Sequence, residues 1–203
     1  MSAAFLDPVV LEGRHVRLEP MGAGHATALA AAAADGELWK LWYTSVPKPE
    51  AIDEHVALML KRRELRTFLP FVVTLRDSGE VVGQTTFCNV DHDHRRVEIG
   101  YTWYSQRVQR TAVNTECKWL LLRHAFEEWQ CIAVEFRTNW FNQQSRAAIA
   151  RLGAKQDGVL RSHMRMPDGS LRDTVVFSII QPEWPAVKAN LRYRLDQGDN
   201  GHG

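Results

Sequence analysis

One stretch of the chain, Val97 to Phe126 (VEIGYTWYSQRVQRTAVNTECKWLLLRHAF), holds residue types whose spacing can do chemistry. A single carboxylate, Glu98, stands among the alternating apolar residues Val97, Ile99, Tyr101 and Trp103, which is the pattern of a half-buried strand. Burial of that kind raises a carboxyl pKa towards the range where it serves as a general base. The alternative is a strand glutamate paired at the surface with Arg95 or Arg96. Downstream, Gln109-Arg110-Thr111-Ala112-Val113-Asn114 opens a helix-period run with Val113, Cys117, Leu120, Leu121, Ala125 and Trp129 on one face. The first-turn amides of such a helix lack intrahelical partners and point, with the positive dipole end, at one place. A carboxylate and an anion cradle on one strand–helix unit suit group transfer from a phosphate-bearing donor.

The elements that must hold this unit read from the chain in order. Arg14–Pro20 alternates as a first strand, and Ala-rich His25–Ala34 and Pro49–Leu65 are helices. Phe68–Leu75 and Val81–Val90 form a hairpin around Asp77-Ser78-Gly79, and the Val97 strand pairs next. After the Ala112–Trp129 helix come a strand at Ile132–Thr138 and a helix from about Asn142 to Leu152, with Asn142 as N-cap and Gly153 as stop. Val159–Met166 and Arg172–Ile180 are strands joined by Pro167-Asp168-Gly169-Ser170, and a last helix runs from about Pro182 to Leu195. The expected fold is mixed α/β: a mostly antiparallel, seven-stranded sheet with helices on both faces. It forms one domain over residues 11–195, with an N-terminal arm at 1–10 and a flexible tail at 196–203.

Composition narrows the function classes. At 203 residues, 45% apolar and 24% charged, the chain is an ordinary globular domain. A net charge of +1 gives no electrostatic case for nucleic acid or an anionic membrane, and no run reaches the ~18 apolar residues of a membrane span. MSAAFLDPVV lacks the pattern of a secretory signal, and Cys88, Cys117 and Cys131 have no metal-ligand spacing, so a cytoplasmic protein with reduced thiols is expected. Asp91-His92-Asp93-His94 has the residue types of a metal cluster, but its hairpin-loop setting favours a solvated loop. His163 and Cys117 are expected to pack.

The element order and the position of the anion loop resemble the GNAT N-acetyltransferase superfamily. Its (Q/R)-x-x-G-x-(G/A) loop corresponds here to Gln109, Ala112 and Asn114. Val97-Glu98-Ile99 resembles the family's A-E-I triplet, with Glu98 eleven residues before Gln109. Asn142-x-x-Ser145 followed by Arg151-Leu152-Gly153-Ala154, and the MRMPDGSLRDTVVFSI hairpin, resemble the RimJ/RimL branch. Two departures stand out. The loop's central Gly is Ala112, which costs about 1 kcal/mol if φ there is positive, so a helical φ is expected. The position of the family's tyrosine acid, four residues after Ser145, is Ile149.

The resemblance implies acetyl-CoA as co-substrate, no metal, and direct transfer of the acetyl group to a primary amine. It places the pyrophosphate on the amides of Arg110, Thr111, Ala112, Val113, Asn114 and Thr115, with charge from Arg107 and Arg110. The pantetheine would run along Thr102, Trp103 and Tyr104, where a strand bulge leaves an N–H for the acetyl carbonyl. Asn142 would contact the pantetheine arm and Ser145 the leaving thiolate; Glu98 would be the base. Trp39, Trp42 and Tyr43 either wall the acceptor pocket or pack in the core, and Glu135 and Arg137 could line it. The expected acceptor is the α-amine of a peptide or protein N-terminus or of an amino-acid-like molecule. The alternatives are a small amine or antibiotic, or a CoA-binding module without turnover. A homodimer is left open.

Overall fold

The computed structural model describes residues 5–44 and 46–200, the last three as backbone only. The strands are β1 (Leu11–Glu12), β2 (Val16–Pro20), β3 (Leu69–Leu75), β4 (Val81–Asp91), β5 (Arg96–Tyr104), β6 (Ala133–Asn139), β7 (Lys155–Arg165) and β8 (Leu171–Ile180). The helices are α1 (Ala26–Ala34), α2 (Ile52–Glu64), α3 (Ala112–Arg123), α4 (Gln143–Arg151) and α5 (Trp184–Asn200). All strands join one sheet in the order β1-β2-β3-β4-β5-β6-β8-β7, and only β5 and β6 run parallel. The sheet has eight strands where the alternation predicts seven: Leu11–Glu12 pairs with Arg17 and Leu18, and two residues are too few to show a period.

Alternation along the central strands feeds two cores. Phe71, Phe87, Val134, Phe136, Phe177 and Ile179 face α3 and α5, meeting Leu120, Leu121, Val187 and Leu191. Val72, Cys88 and Trp103 face α1 and α2, meeting Leu29, Ile52, Val56 and Met59. Each such large apolar side chain contributes roughly 1.5–3 kcal/mol on leaving water, so the sheet's position between its helices is well determined.

Two helices depart from their expected bounds. The segment predicted as one helix to Trp129 widens after Arg123 into a π turn at His124–Glu128, closed by the Trp129 amide on the His124 carbonyl at 3.1 Å. Its wider ring leaves Trp129 in the core, 4.6 Å from the Phe87 ring centroid. A single wide turn is invisible to a 3.6-residue pattern. At the C-terminus α5 continues through Asn200, so the tail expected from 196 is helical that far; residues 201–203 lie outside the described residues. In the N-terminal arm Leu6 is buried and Phe5 and Val9 pack on the core, while residues 1–4 lie outside the described residues.

Three features position the cleft discussed next. β5 and β6 pair only at Arg96–Glu98 with Ala133–Glu135 and then part. β5 carries a bulge: Gln84 faces Trp103 and Thr86 faces Gly100, so Tyr101 and Thr102 together oppose Thr85. Gly83, at φ +154°, lets β4 lie against the Trp103–Tyr104 backbone, where a Cβ would collide with the Trp103 carbonyl oxygen. The bulge also corrects the simple alternation of β5. Val97 and Ile99 face the α3 core, whereas Trp103 faces the α2 core and Tyr101, at φ +51°, stands exposed.

Candidate active site

Where β5 and β6 part, a cleft of about 460 Å³ opens between the two strands. Its walls come from Ile99–Tyr104, the 109–115 loop and helix start, Phe136–Asn139, α4, and the segment between α1 and α2. This is the size and setting of a small-molecule site.

The start of α3, expected to seat an anion, is a capped helix N-terminus. Thr111 is the N-cap, its hydroxyl accepting from the Val113 amide at 3.3 Å and donating to the Val108 carbonyl at 2.7 Å. Ala112 is the first helical residue, so the position of the loop's missing glycine is helical; the positive φ, +64°, falls on Arg110. Gln109, Arg110, Thr111, Asn114 and Thr115 line the cleft, whereas Ala112 and Val113 do not, and Val113 packs into the core. Gln109 Nε2 reaches the Tyr104 carbonyl at 3.3 Å, tying loop to strand. Arg110 is exposed, with no ion pair among the described residues. Arg107 is different: it pairs with Asp35 and Glu80 and does not line the cleft, so it buttresses the loop instead. The helix itself is held by Glu116, whose carboxylate accepts from the Arg14, His15 and Val16 amides at 2.7, 2.7 and 2.8 Å.

Opposite, Asn142 caps α4 by accepting from the Ser145 amide at 2.9 Å, and both side chains line the cleft. Capping leaves the Ser145 hydroxyl at the third position of the helix, on the cleft side. Gly153, at φ +103°, ends the segment as expected. Ile149 is buried and lines the cleft wall, so no tyrosine stands there.

Glu98 lies one layer behind the wall: it is 7% exposed, while its neighbours Ile99, Gly100 and Arg137 line the cleft. One of its oxygens, Oε2, accepts from Asn89 Nδ2 at 2.7 Å and lies 3.4 Å from Arg137 Nε. Burial pushes its carboxyl above the usual range, and Asn89 and Arg137 offset only part of this. The surface pairing expected as the alternative goes to another residue: Arg96 and Arg137 both pair with Glu135, which sits beside the cleft without lining it.

Several cleft residues had no linear signal. Lys118 is buried, donating to Thr102 at 2.7 Å and Thr85 at 3.3 Å, and burial brings its ammonium down to about 8. Gln84 donates to the Tyr101 carbonyl at 3.1 Å and pairs with His55 at 2.9 Å, so a fully buried amide holds the bulge. Burial lowers the His55 pKa. Arg151, Arg172 and Asn139 also line the cleft. Each was an ordinary polar residue by type; the Arg137/Arg172 phase on neighbouring strands was the one available hint.

Of the aromatic segment, Tyr43 lines the cleft and Trp39 does not, while the exposed Trp42 meets Phe141 across the cleft mouth at 5.3 Å between centroids. His94 bonds Asp91 within a turn, and no group of three metal-ligating side chains exists among the described residues. Cys117 is buried as expected, but His163 is exposed and bonds Thr174 at 3.1 Å, because β7 is an edge strand with little over it.

Comparisons with known proteins converge on one fold. The family model described as "Acetyltransferase (GNAT) domain" matches residues 15–155. YdaF of Bacillus subtilis (strain 168), provisionally named a ribosomal N-acetyltransferase, is 26% identical over 149 residues, covering 72% of this chain and 80% of its own. A GCN5-related N-acetyltransferase from Brucella melitensis superposes with a TM-score of 0.85 at 28% identity, over 93% of this chain and 86% of that one. Mycobacterium smegmatis RimJ, solved with CoA-disulfide, shares the fold at a TM-score of 0.78 and 23% identity, over 93% and 96% of the two chains.

Proposed function

We propose, from the premise that this chain belongs to the GNAT N-acetyltransferase family, that it moves an acetyl group directly from acetyl-CoA to the α-amine of a peptide or protein N-terminus or of an amino-acid-like molecule. The observation that carries this reading is that the cleft where β5 and β6 part is lined by a helix start and backed, one layer behind its wall, by a buried carboxylate of raised pKa, Glu98.

The residues present suit the donor. The α3 first turn offers amides that lack i−4 carbonyls, and the Arg110 guanidinium beside them has no ion pair among the described residues. Acetyl-CoA supplies an acyl group activated as a thioester. In our reading Thr102, Trp103 and Tyr104 hold the pantetheine arm through backbone groups, and Gln84 keeps the β5 bulge in shape so that a free N–H can meet the acetyl oxygen as it gains charge. Asn142 steadies the arm, and Ser145 donates to the departing sulfur.

An ammonium cannot attack, so a proton must leave first. Glu98 takes it through a water, since Arg137 and the strand backbone stand between its carboxylate and the cleft. The amine nitrogen then bonds to the acetyl carbon, the carbon–sulfur bond breaks, and the second proton of the nitrogen passes to the departing thiolate, so the donor leaves as its thiol. An α-amine titrates near ~8 and a lysine side chain near ~10.4. A lone carboxylate without a tyrosine partner therefore suits the α-amine. The name of the Bacillus relative, a ribosomal N-acetyltransferase, supports a ribosomal acceptor among the candidates.

The test is thiol release from acetyl-CoA with a matched panel of short peptides, amino acids, spermidine and Nα-blocked lysine at neutral pH. Free α-amines are expected to be acetylated fastest. A panel in which spermidine or the lysine side chain outcompetes every α-amine would overturn the choice of acceptor.

A further inference from the structure

The face of β6 and β8 turned away from α3 and α5 is polar, and beside the cleft its charges do not balance. Arg96 and Arg137 share Glu135, and Arg137 also reaches Glu98, so these four side chains compensate one another. Arg172, on β8, is left over. It is half-buried and lines the cleft, and no carboxylate of the described residues stands within ion-pair distance of it. Its Nε donates to Thr174 Oγ1 at 3.0 Å, which folds the side chain back along β8 towards Glu98 and leaves both terminal nitrogens without an acceptor among the described residues.

A second group points the same way. Asn139 pairs in register with Thr174, the residue that anchors Arg172. Its Oδ1 accepts from the Phe141 amide at 3.0 Å, while its Nδ2 has no partner among the described residues although Asn139 is only 2% exposed and lines the cleft. A buried amide donor left unmade costs on the order of 1–3 kcal/mol, and a half-buried guanidinium without an anion is costly as well. Arg172 and Asn139 thus offer unused donors to the cleft.

We propose that Arg172 and Asn139 form a carboxylate seat, so that the acceptor carries a carboxylate close to the amine it presents near Glu98. The proposal rests on the acetyl-transfer reading above and names the acceptor class within it. The two terminal nitrogens of a guanidinium match the two oxygens of a carboxylate in one plane. A carboxamide would bring its own N–H groups against the same donors. Burial lowers the Arg172 pKa from its ordinary value without ending its positive charge, and an incoming carboxylate would relieve that strain. Such a carboxylate has two sources: the α-carboxylate of an amino-acid-like molecule, or an acidic side chain beside the N-terminus of a peptide.

Two matched pairs of acceptors separate the sources: a free amino acid against its carboxamide, and a short peptide amide with Asp or Glu in second place against the same peptide with Asn or Gln. Thiol release gives kcat/KM for the wild type, Arg172→Gln and Arg172→Lys, and the thermal shift with acetyl-CoA reports fold and donor binding in each. In at least one pair the wild type should prefer the carboxylate by about 10-fold or more, chiefly in KM, the scale of one charge-assisted pair. Arg172→Gln should lose that preference, and Arg172→Lys should keep part of it. Absence of any preference in the wild type, or its survival in Arg172→Gln with donor binding intact, overturns the seat. If Arg172→Gln does not fold, an undiminished preference in Arg172→Lys overturns it equally, because a fork would not be needed. Carboxamides turned over as fast as carboxylates would remove the seat and leave acetyl transfer standing. Donor binding with no turnover of any amine would remove both.

Discussion

Along the wall proposed for the donor, the cleft relies on backbone groups contiguous in the chain, from Gln109 to Thr115 and from Asn142 to Ser145. The wall proposed for the acceptor is assembled from side chains on different strands, Arg137 and Asn139 on β6 and Arg172 on β8, with Glu98 of β5 one layer behind them. Amides at a helix start come with the helix whatever the side chains are, so that wall tolerates Ala112 where a glycine is expected. The other wall has no such redundancy. Its central ion pair depends on sheet pairing: Arg137 of β6 meets Glu98 of β5 as well as Glu135 of its own strand. Substitutions on it should therefore act on chemistry or selectivity, and those on the helix start on donor affinity.

The largest effect that could break this division is at Glu98. Glu98→Gln keeps shape and cannot accept a proton, so turnover should fall by ~100-fold or more while the acetyl-CoA thermal shift persists. Because the carboxyl pKa is raised by burial, the wild-type rate should climb with pH through a limb lying above the ordinary glutamate range, and the variant should lack that limb. A rate within a few-fold of wild type would make Glu98 a structural residue.

Next comes the other wall. A carboxylate at the first helical position is welcome to the helix dipole, so Ala112→Asp should fold as well as the wild type. It would oppose the donor's phosphates, weakening acetyl-CoA by about 10-fold or more, on the scale of like charges a few ångströms apart near a surface. An unchanged thermal shift would put the donor elsewhere. Ser145→Ala sharpens the comparison from within that wall, since its amide stays capped by Asn142. Turnover should drop several-fold, roughly 5–10-fold, with donor affinity unchanged, because the hydroxyl meets charge that develops only on the leaving sulfur.

The smallest effect concerns Lys118, between the two walls. Its pKa in the fold is about 8, below the ~10.4 of an unfolded lysine. Over that window the unfolded chain binds more protons, so stability rises with pH from about 8 to ~10.4 and the full cost of the buried charge is felt below 8. Thr85 and Thr102 bond each other at 2.8 Å and need no lysine. Lys118→Met should therefore raise Tm by a few degrees at pH 7, with the advantage shrinking as pH passes 8 and approaches 10. A lower Tm at pH 7 would show that the bonds to Thr102 and Thr85 outweigh desolvation.

The residues that were legible in the chain are those whose role is local. Asn142 caps a helix because the donor it serves, the Ser145 amide, is three residues on, and Gly153 stops it at a positive φ. Glu98 and the 109–115 turn could be found because strand, turn and helix follow one another directly. The β5 bulge was not legible as geometry, since residues 97–103 read as plain alternation until the pairing with Gln84 and Thr86 is known. Likewise the π turn after Arg123 and the two-residue β1 leave no periodic trace.

By itself the amino-acid order determined the succession of elements, the two-sided sheet, and the place where α3 starts, because hydrophobic period, caps and turns act over a few residues. Only the tertiary structure decided that Arg107 buttresses the loop, that Glu98 stands behind Arg137, and that Arg172 and Asn139 share a patch with no carboxylate of the described residues paired to it. Those outcomes are set by strand register and by which charges find partners across the sheet. Register is a long-range quantity: one shift of a strand exchanges its faces, and no local pattern around Arg172 records which way it turns.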